Sequence, residues 1–251
     1  MNSLRLAFSF LTVLPVAPTE YKSGDLGRAA IWFSLIGLAV GIVLVGAHMY
    51  IAPLFPPTLG AAIVVALWVF VTGGLHLDGL GDCCDGLFCV ASREKRLEIM
   101  RDPRLGAFGQ MGITVFLILK VLAVGALREN PLEMVPLSES MFALLFAPAL
   151  ARWLILVVAS QPPARSGGMA ADFSAGLTRW RLIAAAILPC AMLAIGGRRA
   201  ILAALLAGLT TLGVIPLAKK RIGGVTGDVY GFAGELAELC VLLVFAARIA
   251  P

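Results

Sequence analysis

The sequence predicts an all-α fold, a polytopic transmembrane helical bundle. Of its 251 residues 60% are hydrophobic and 14% charged, against roughly 25% charged in an ordinary soluble domain. Its mean hydropathy is +0.95. Apolar runs long enough to cross a hydrocarbon core, which takes about 20 residues, recur along the whole length. They consume most of the chain, so one integral-membrane domain over 1–251 is expected and no separate soluble one.

The N-terminal stretch LRLAFSFLTVLPV carries a single basic residue, Arg5, ahead of its apolar part. It reads as a half-buried or interfacial helix ending near Pro15 in preference to a signal peptide, because no small-x-small cleavage site follows cleanly. Seven spans are expected after it, at about 29–51, 59–77, 107–127, 140–160, 182–197, 199–218 and 232–249, the one at 182–197 broken by Pro189.

Basic residues set the orientation. With the N-terminus inside, 14 of the 20 Lys and Arg residues fall on the cytoplasmic side and 4 opposite, while Lys120 and Arg152 lie within spans. The expected topology is therefore N-in and C-out, surrounded by membrane lipid. The same asymmetry accounts for the net charge of +5, which leaves no ground for nucleic-acid binding. Five cysteines, an odd number placed at cytoplasmic ends or inside spans, argue against a disulfide framework. Cys83 and Cys84 diverge by about 100° on a helix and have no second pair at zinc-binding spacing.

The stretch GGLHLDGLGDCCDGLF, residues 73–88, sets three aspartates in an apolar, glycine-rich run. On a helix Asp78, Asp82 and Asp85 fall within roughly 60° of one face. Two unit charges about 6 Å apart repel by roughly 3 kcal/mol at an effective dielectric of 20, so a bound cation is the economical explanation. Oxygen donors without histidine or thiolate suit a hard ion, Mg²⁺ or Mn²⁺. The bland alternative, a span end facing water, suits one aspartate better than three.

A second acidic set lies in GGVTGDVYGFAGELAEL, residues 223–239. Asp228 sits at the expected boundary, with Glu235 and Glu238 about 10 and 15 Å further along a helix. An ionisable group near a span centre costs about 2.5–3.5 kcal/mol, so both glutamates must face protein or a wet cavity. Both sets start from one membrane side, which predicts a single cytoplasm-facing site with Asp78, Asp82, Asp85, Asp228 and Glu235 as metal ligands. Glu238 reads either as a substrate contact or as a partner of Lys120 or Arg152 inside the bundle.

Cationic residues flank these acids. Arg96, Arg101 and Arg104 surround the turn RDPRLG, and Lys219, Lys220 and Arg221 lead into Gly223, Gly224, Thr226 and Gly227. Guanidinium groups, backbone amides and a divalent cation together suit a diphosphate, although each basic residue alone also reads as topological anchoring. His76, two residues before Asp78, points away from the acidic face. That is the geometry of a structural, hydrogen-bonded histidine, with substrate contact as the alternative.

These motifs resemble those of the cobalamin synthase (adenosylcobinamide-GDP ribazoletransferase) family. The likeness rests on TGGLHLDGLGDCCDGLF at 72–88, EIMRDPRLGAFG at 98–109 and GGVTGDVYGFAGELAE at 223–238, with a weaker echo in FLTVLPV at 10–16. It implies a bacterial inner-membrane enzyme, active site facing the cytoplasm, that joins adenosylcobinamide-GDP to α-ribazole or α-ribazole 5′-phosphate with release of GMP and a requirement for Mg²⁺. A ribose hydroxyl would attack the phosphorus nearest the cobinamide arm, with Asp82 or Asp85 accepting its proton and no reason in sequence to choose. Cys83, Cys84 and Tyr230 depart from the pattern, Tyr230 where an aliphatic residue is more usual.

Two other functions fit the composition. A phosphotransferase acting on nucleotide-diphosphate alcohols such as CDP-alcohols also uses clustered aspartates, at a different spacing. A cation-coupled transporter would place acids near mid-membrane, whereas here acids and bases gather at one face. A homo-oligomer is compatible with the sequence.

Overall fold

The computed structural model describes residues 2–127 and 138–248, and among these the regular structure is helical apart from one isolated bridge, Pro163 with Val225. In chain order the helices are α1 (Asn2–Leu11), α2 (Asp25–Ala29), α3 (Phe33–Tyr50), α4 (Pro57–Val71), α5 (Leu75–Phe88), α6 (Arg93–Ile99), α7 (Ala107–Gly125), α8 (Glu139–Ala159), α9 (Gly168–Gly176), α10 (Arg179–Ile222) and α11 (Gly227–Ala246). Five stretches are long and apolar enough to cross a membrane: Asp25–Leu54, Ala107–Gly125, Glu139–Ala159, Arg179–Ile222 and Gly227–Ala246. The bent pair α4 and α5 makes a sixth if counted as one span. Arg128, and Ile249 at the end of the last expected span, lie outside the described residues.

The membrane bundle is as expected, but its division into spans differs in one place, and the break expected at Pro189 is absent. The expected span 59–77 ends early. Gly73 and Gly74 take φ of 62° and 67°, a left-handed conformation that side chains with a Cβ disfavour, and α5 leaves α4 at 91°. The acidic stretch is thus a separate helix lying crosswise to α4.

The expected spans 182–197 and 199–218 are both present, as the two limbs of the 44-residue element α10, and what differs is that Pro189 does not break the first. Straight, it would reach about 66 Å, twice a hydrocarbon core of about 30 Å. Instead it doubles back. Leu182 accepts a hydrogen bond from Trp153 (3.1 Å) and Lys219 donates to Gln161 (2.8 Å) at one end of α8, whereas Arg199 pairs with Glu139 at the other. The reversal falls at Gly197 (φ 61°, ψ −156°), while Pro189 stays inside the helix.

Helix α1 packs against the start of α3: Trp32 donates to Ser3 (3.1 Å), Phe10 stacks on Phe33 at 5.9 Å, and Ala7 and Leu11 are fully buried. Helix α8 is the bundle's axis, buried on nearly every side and packed against α3, α10 and α11. Gly37 and Gly41, four residues apart, let α3 approach it closely. A Cβ at Gly37 would stand 2.3 Å from the Pro148 carbonyl oxygen, and one at Gly41 2.7 Å from Leu145 Cα. Small residues at this spacing are the usual means by which helices make contact in lipid.

Four charged side chains meet inside this packing. Lys120 of α7 donates to Glu235 (2.9 Å) and Glu238 (2.5 Å) of α11, and Arg152 of α8 donates to Glu238. All four are buried, and Lys120 also stands 4.0 Å over the Trp68 ring. Two cations balance two anions, so the group carries no net charge into the apolar interior.

Removing one member of such a buried set strands the others. Lys120→Met should lower the unfolding free energy by about 3–5 kcal/mol, read from thermal or denaturant unfolding in detergent. Adding Glu235→Gln should recover much of the loss; an equal loss in the double variant would contradict the charge-balance account.

Candidate active site

The site is assembled where α5 crosses the N-terminus of α11. Gly79 and Gly231 sit at the crossing, and a Cβ on either would lie 2.8 Å from a backbone oxygen of the other helix, Asp228 or His76 respectively. Backbone therefore rests on backbone, which carries Asp78 and Asp82 to the first turn of α11. The strongest charged neighbour of Asp82 is Asp228, followed by Asp78 and Asp85. The two acidic sets read from the sequence thus meet at Asp228, and Glu235 and Glu238 do not join them.

Each aspartate has a different local task. Asp85 is buried and accepts from the Gly106 amide (2.7 Å) and the Gly109 amide (2.9 Å), so both its oxygens close the open N-terminus of α7. This side chain joins α5 to α7 and is not an open ligand. Asp228 accepts from the Thr226 hydroxyl (3.1 Å), which itself accepts from the Val229 amide (3.4 Å) as the N-cap of α11. Thr226 therefore orients Asp228, a role in place of the expected substrate contact. Asp78, exposed, and Asp82, partly buried, have no hydrogen-bond or ion-pair partner among the described residues.

Among the described residues no three His, Cys, Asp or Glu side chains converge into a ready-made metal cage. Mg²⁺ seldom needs one, since it is commonly held by one or two carboxylates, waters and substrate phosphates. Asp78, Asp82 and Asp228 offer that donor set: oxygen only, adjacent and incompletely partnered. Glu235 does not, because its carboxylate is held by Lys120 in the interior. Glu238 follows the second of its two sequence readings, bonding both Lys120 and Arg152.

The arginines divide in the same way. Arg96 is buried and donates to the carbonyls of Gly86 (2.8 Å), Leu87 (2.9 Å) and Ala91 (3.1 Å), closing the C-terminus of α5. It is a structural cap, not a phosphate contact. Arg104 grips Asp102 through two bonds (2.9 and 2.7 Å) on the exposed turn, so its guanidinium is already engaged. Arg101 is exposed and has no carboxylate partner among the described residues. Lys220 and Arg221 are exposed at the end of α10, and Gly227 faces Met169.

Arg165 was legible in the sequence only as a topological charge, yet it stands at this site. Its Nη1 is buried without a partner. Burial, followed by the like charge of Arg101, pulls its guanidinium below the usual range, and Asp228 opposes that shift. The segment before it is pinned by Ala164 and Val225 (2.9 Å), Val225 and Pro162 (3.0 Å), and Arg93 on the Ala164 carbonyl (2.9 Å). These contacts join positions some sixty residues apart, so no local pattern announces them.

His76 is buried, and its Nδ1 has no partner among the described residues. It lies toward Arg152, Glu238 and Lys120, off the acidic face as expected but without the hydrogen bond expected of a structural histidine at that nitrogen. The five cysteines are all free.

Comparison with known proteins places this arrangement. The family model for cobalamin-5-phosphate synthase matches residues 3–246. The chain belongs to that family. It is 35% identical to the adenosylcobinamide-GDP ribazoletransferase of Desulfitobacterium hafniense (strain Y51), over 97% of this chain and 96% of that protein. It is 38% identical to the protein of the same name from Deinococcus radiodurans, over 96% of this chain and 84% of that one. A third, from Pseudomonas savastanoi pv. phaseolicola, is 35% identical over 96% and 97%. No solved structure matches the chain. Membership in the cobalamin-5-phosphate synthase family makes the chain an enzyme of cobalamin synthesis.

The aspartates should separate by stability. Asp85→Ala should cost about 1–2 kcal/mol through loss of the α7 cap, whereas Asp82→Asn, which relieves repulsion, should leave the melting temperature unchanged or raise it. Melting of the purified variants in detergent checks both, and equal destabilisation would contradict the assignment.

Proposed function

We propose that this member of the cobalamin-5-phosphate synthase family joins adenosylcobinamide-GDP to α-ribazole, or to its 5′-phosphate, and releases GMP in a Mg²⁺-dependent reaction. The observation that carries the reading is the pairing of unpartnered carboxylates, Asp78 and Asp82 beside Asp228, with the cationic Arg101 and Arg165 beside them. A diphosphate needs both signs of charge around it, a divalent cation against some oxygens and fixed guanidinium groups against others.

In the proposed reaction a ribose hydroxyl attacks the phosphorus nearest the cobinamide arm. The new P–O bond replaces the bond to the departing GMP, and the hydroxyl proton passes to a carboxylate. Asp82 is the better acceptor, because both oxygens of Asp85 are taken by amides of α7. Arg101 and Arg165 stabilise the charge that develops on the leaving phosphate. Asp78 and Asp228 would hold Mg²⁺, or Mn²⁺ in its place, which supplies Lewis-acid neutralisation of the diphosphate.

The site is proposed to face the cytoplasm from the inner membrane. The basic residues that set this orientation gather at the acidic end of the bundle: Arg28 with Arg181, Arg93 on Ala164, Lys219 on Gln161. A transporter reading would require an open ion site among the mid-bundle acids, and Lys120 and Arg152 already neutralise those.

Purified protein incubated with adenosylcobinamide-GDP and α-ribazole should form cobalamin and GMP in equal amounts, lose activity with EDTA and regain it with Mg²⁺. Asp82→Asn should lower kcat by about 10²–10⁴, the usual scale of general-base loss. Folded protein yielding neither product would overturn the reading. Arg165→Gln should raise KM for the corrinoid nucleotide at least tenfold, the effect of losing a hydrogen bond from a charged group worth about 1.5–3 kcal/mol, as read by steady-state kinetics.

A further inference from the structure

Beside the crossing of α5 and α11 lies a cavity of about 160 Å³. Its apolar walls are Leu75, Ile155, Met169 and Phe173, and Asp78 and Asp228 also line it. Because Asp78 is exposed, the cavity adjoins both solvent and the carboxylate site. Tyr230 forms another wall, edge-on to Phe173 with ring centroids 5.8 Å apart.

Two of the residues that line it, Tyr230 and His76, each carry a buried polar atom, the hydroxyl and Nδ1, with no hydrogen-bond partner among the described residues. Buried polar groups are nearly always paired, so two such groups around one small aromatic cavity point to a ligand that completes them. In size the cavity matches one of about 150 Å³ that admits a benzene ring. Aromatic and aliphatic walls with polar groups set among them suit a small flat ligand held by stacking and a directed hydrogen bond.

We propose that this cavity is the acceptor-base subsite, taking the flat, nitrogen-containing aromatic base of the acceptor nucleoside. Tyr230 donates its hydroxyl proton to the unsubstituted ring nitrogen, and the sugar remains outside at Asp78, Asp82 and Asp228, where its hydroxyl reacts. The assignment rests on the ribazole-transfer reading and makes Tyr230 a specificity-determining residue for it.

The test compares the α-ribosides of benzimidazole and indole, isosteres that differ in whether the ring carries that acceptor nitrogen. Both are measured as acceptors or competitive inhibitors with the wild-type enzyme and with Tyr230→Phe. The variant should weaken binding of the benzimidazole riboside about tenfold, leaving the indole riboside and the KM for adenosylcobinamide-GDP unchanged. Met169→Trp, which fills the cavity, should weaken both ribosides while sparing the corrinoid nucleotide. An active Tyr230→Phe enzyme that treats both ribosides as the wild type does, or loses both equally, overturns the subsite alone. Folded wild-type protein that transfers to neither riboside, nor to α-ribazole, overturns the ribazole-transfer reading and the subsite with it.

Discussion

The arrangement of this molecule depends on neutralising two glutamates inside an apolar bundle. Ionised carboxylates away from water are tolerable only when paired, and Glu235 and Glu238 are paired by Lys120 from α7 and Arg152 from α8. Those bonds fix how α11 is rotated about its own axis. Asp228 precedes Glu235 by seven residues, close to two helical turns, so it shares that face at the end of the helix. The interior ion pairs thereby decide which way the first turn of α11 presents its acid, and α5 is the helix that meets it.

For α5 to be there, α4 cannot continue straight. A continuous helix through residues 57–88 would carry Asp78, Asp82 and Asp85 onward along the axis of α4, away from the N-terminus of α11. The bend of 91° at Gly73 and Gly74 lays the acidic helix across the bundle end instead. Its C-terminal end is fastened differently from its first half: Arg96 ties down the last carbonyls and Asp85 clasps the start of α7, while Gly79 lets the backbone rest on α11. Asp78 and Asp82, on either side of Gly79, take no part in the C-terminal fastenings and are left without partners among the described residues.

Hydropathy is a local and additive property, so the membrane bundle was legible in the sequence, and helical periodicity correctly put three aspartates on one helix. Periodicity could not say what each would meet. Asp82 and Asp85 look alike along α5, yet one faces the other acids and the other accepts two amides at the start of a helix that begins twenty-two residues later. Arg96 and Arg101 look alike in a basic turn, yet one is buried as a cap. The pairing of Glu238 was readable because a buried glutamate requires a cation, and the sequence offered two within spans. Arg165 was not readable as a site residue, since long-range contacts, the bridge between Pro163 and Val225 and Arg93 on the Ala164 carbonyl, hold its segment beside the acids. The end of the span near residue 72 was obscured because the run through Leu77 stays apolar across the two glycines that turn it.

The same types of charge therefore do opposite work at two depths of one bundle. In the interior, Lys120, Arg152, Glu235 and Glu238 satisfy one another, and four charges without excess carry no demand for a ligand. At the bundle end, Asp78 and Asp82 stand unpartnered beside Asp228, and Arg165 stands beside Arg101 with a buried nitrogen unpaired. Like charges crowded in this way destabilise the fold unless something of opposite sign intervenes. A rigid, charge-balanced interior allows that strain to persist, because it holds the helix ends where relaxation would otherwise separate them. A ligand that brought a cation to the carboxylates and phosphate oxygens to the guanidinium groups would relieve both imbalances at once, which is what the proposed phosphoryl transfer would supply.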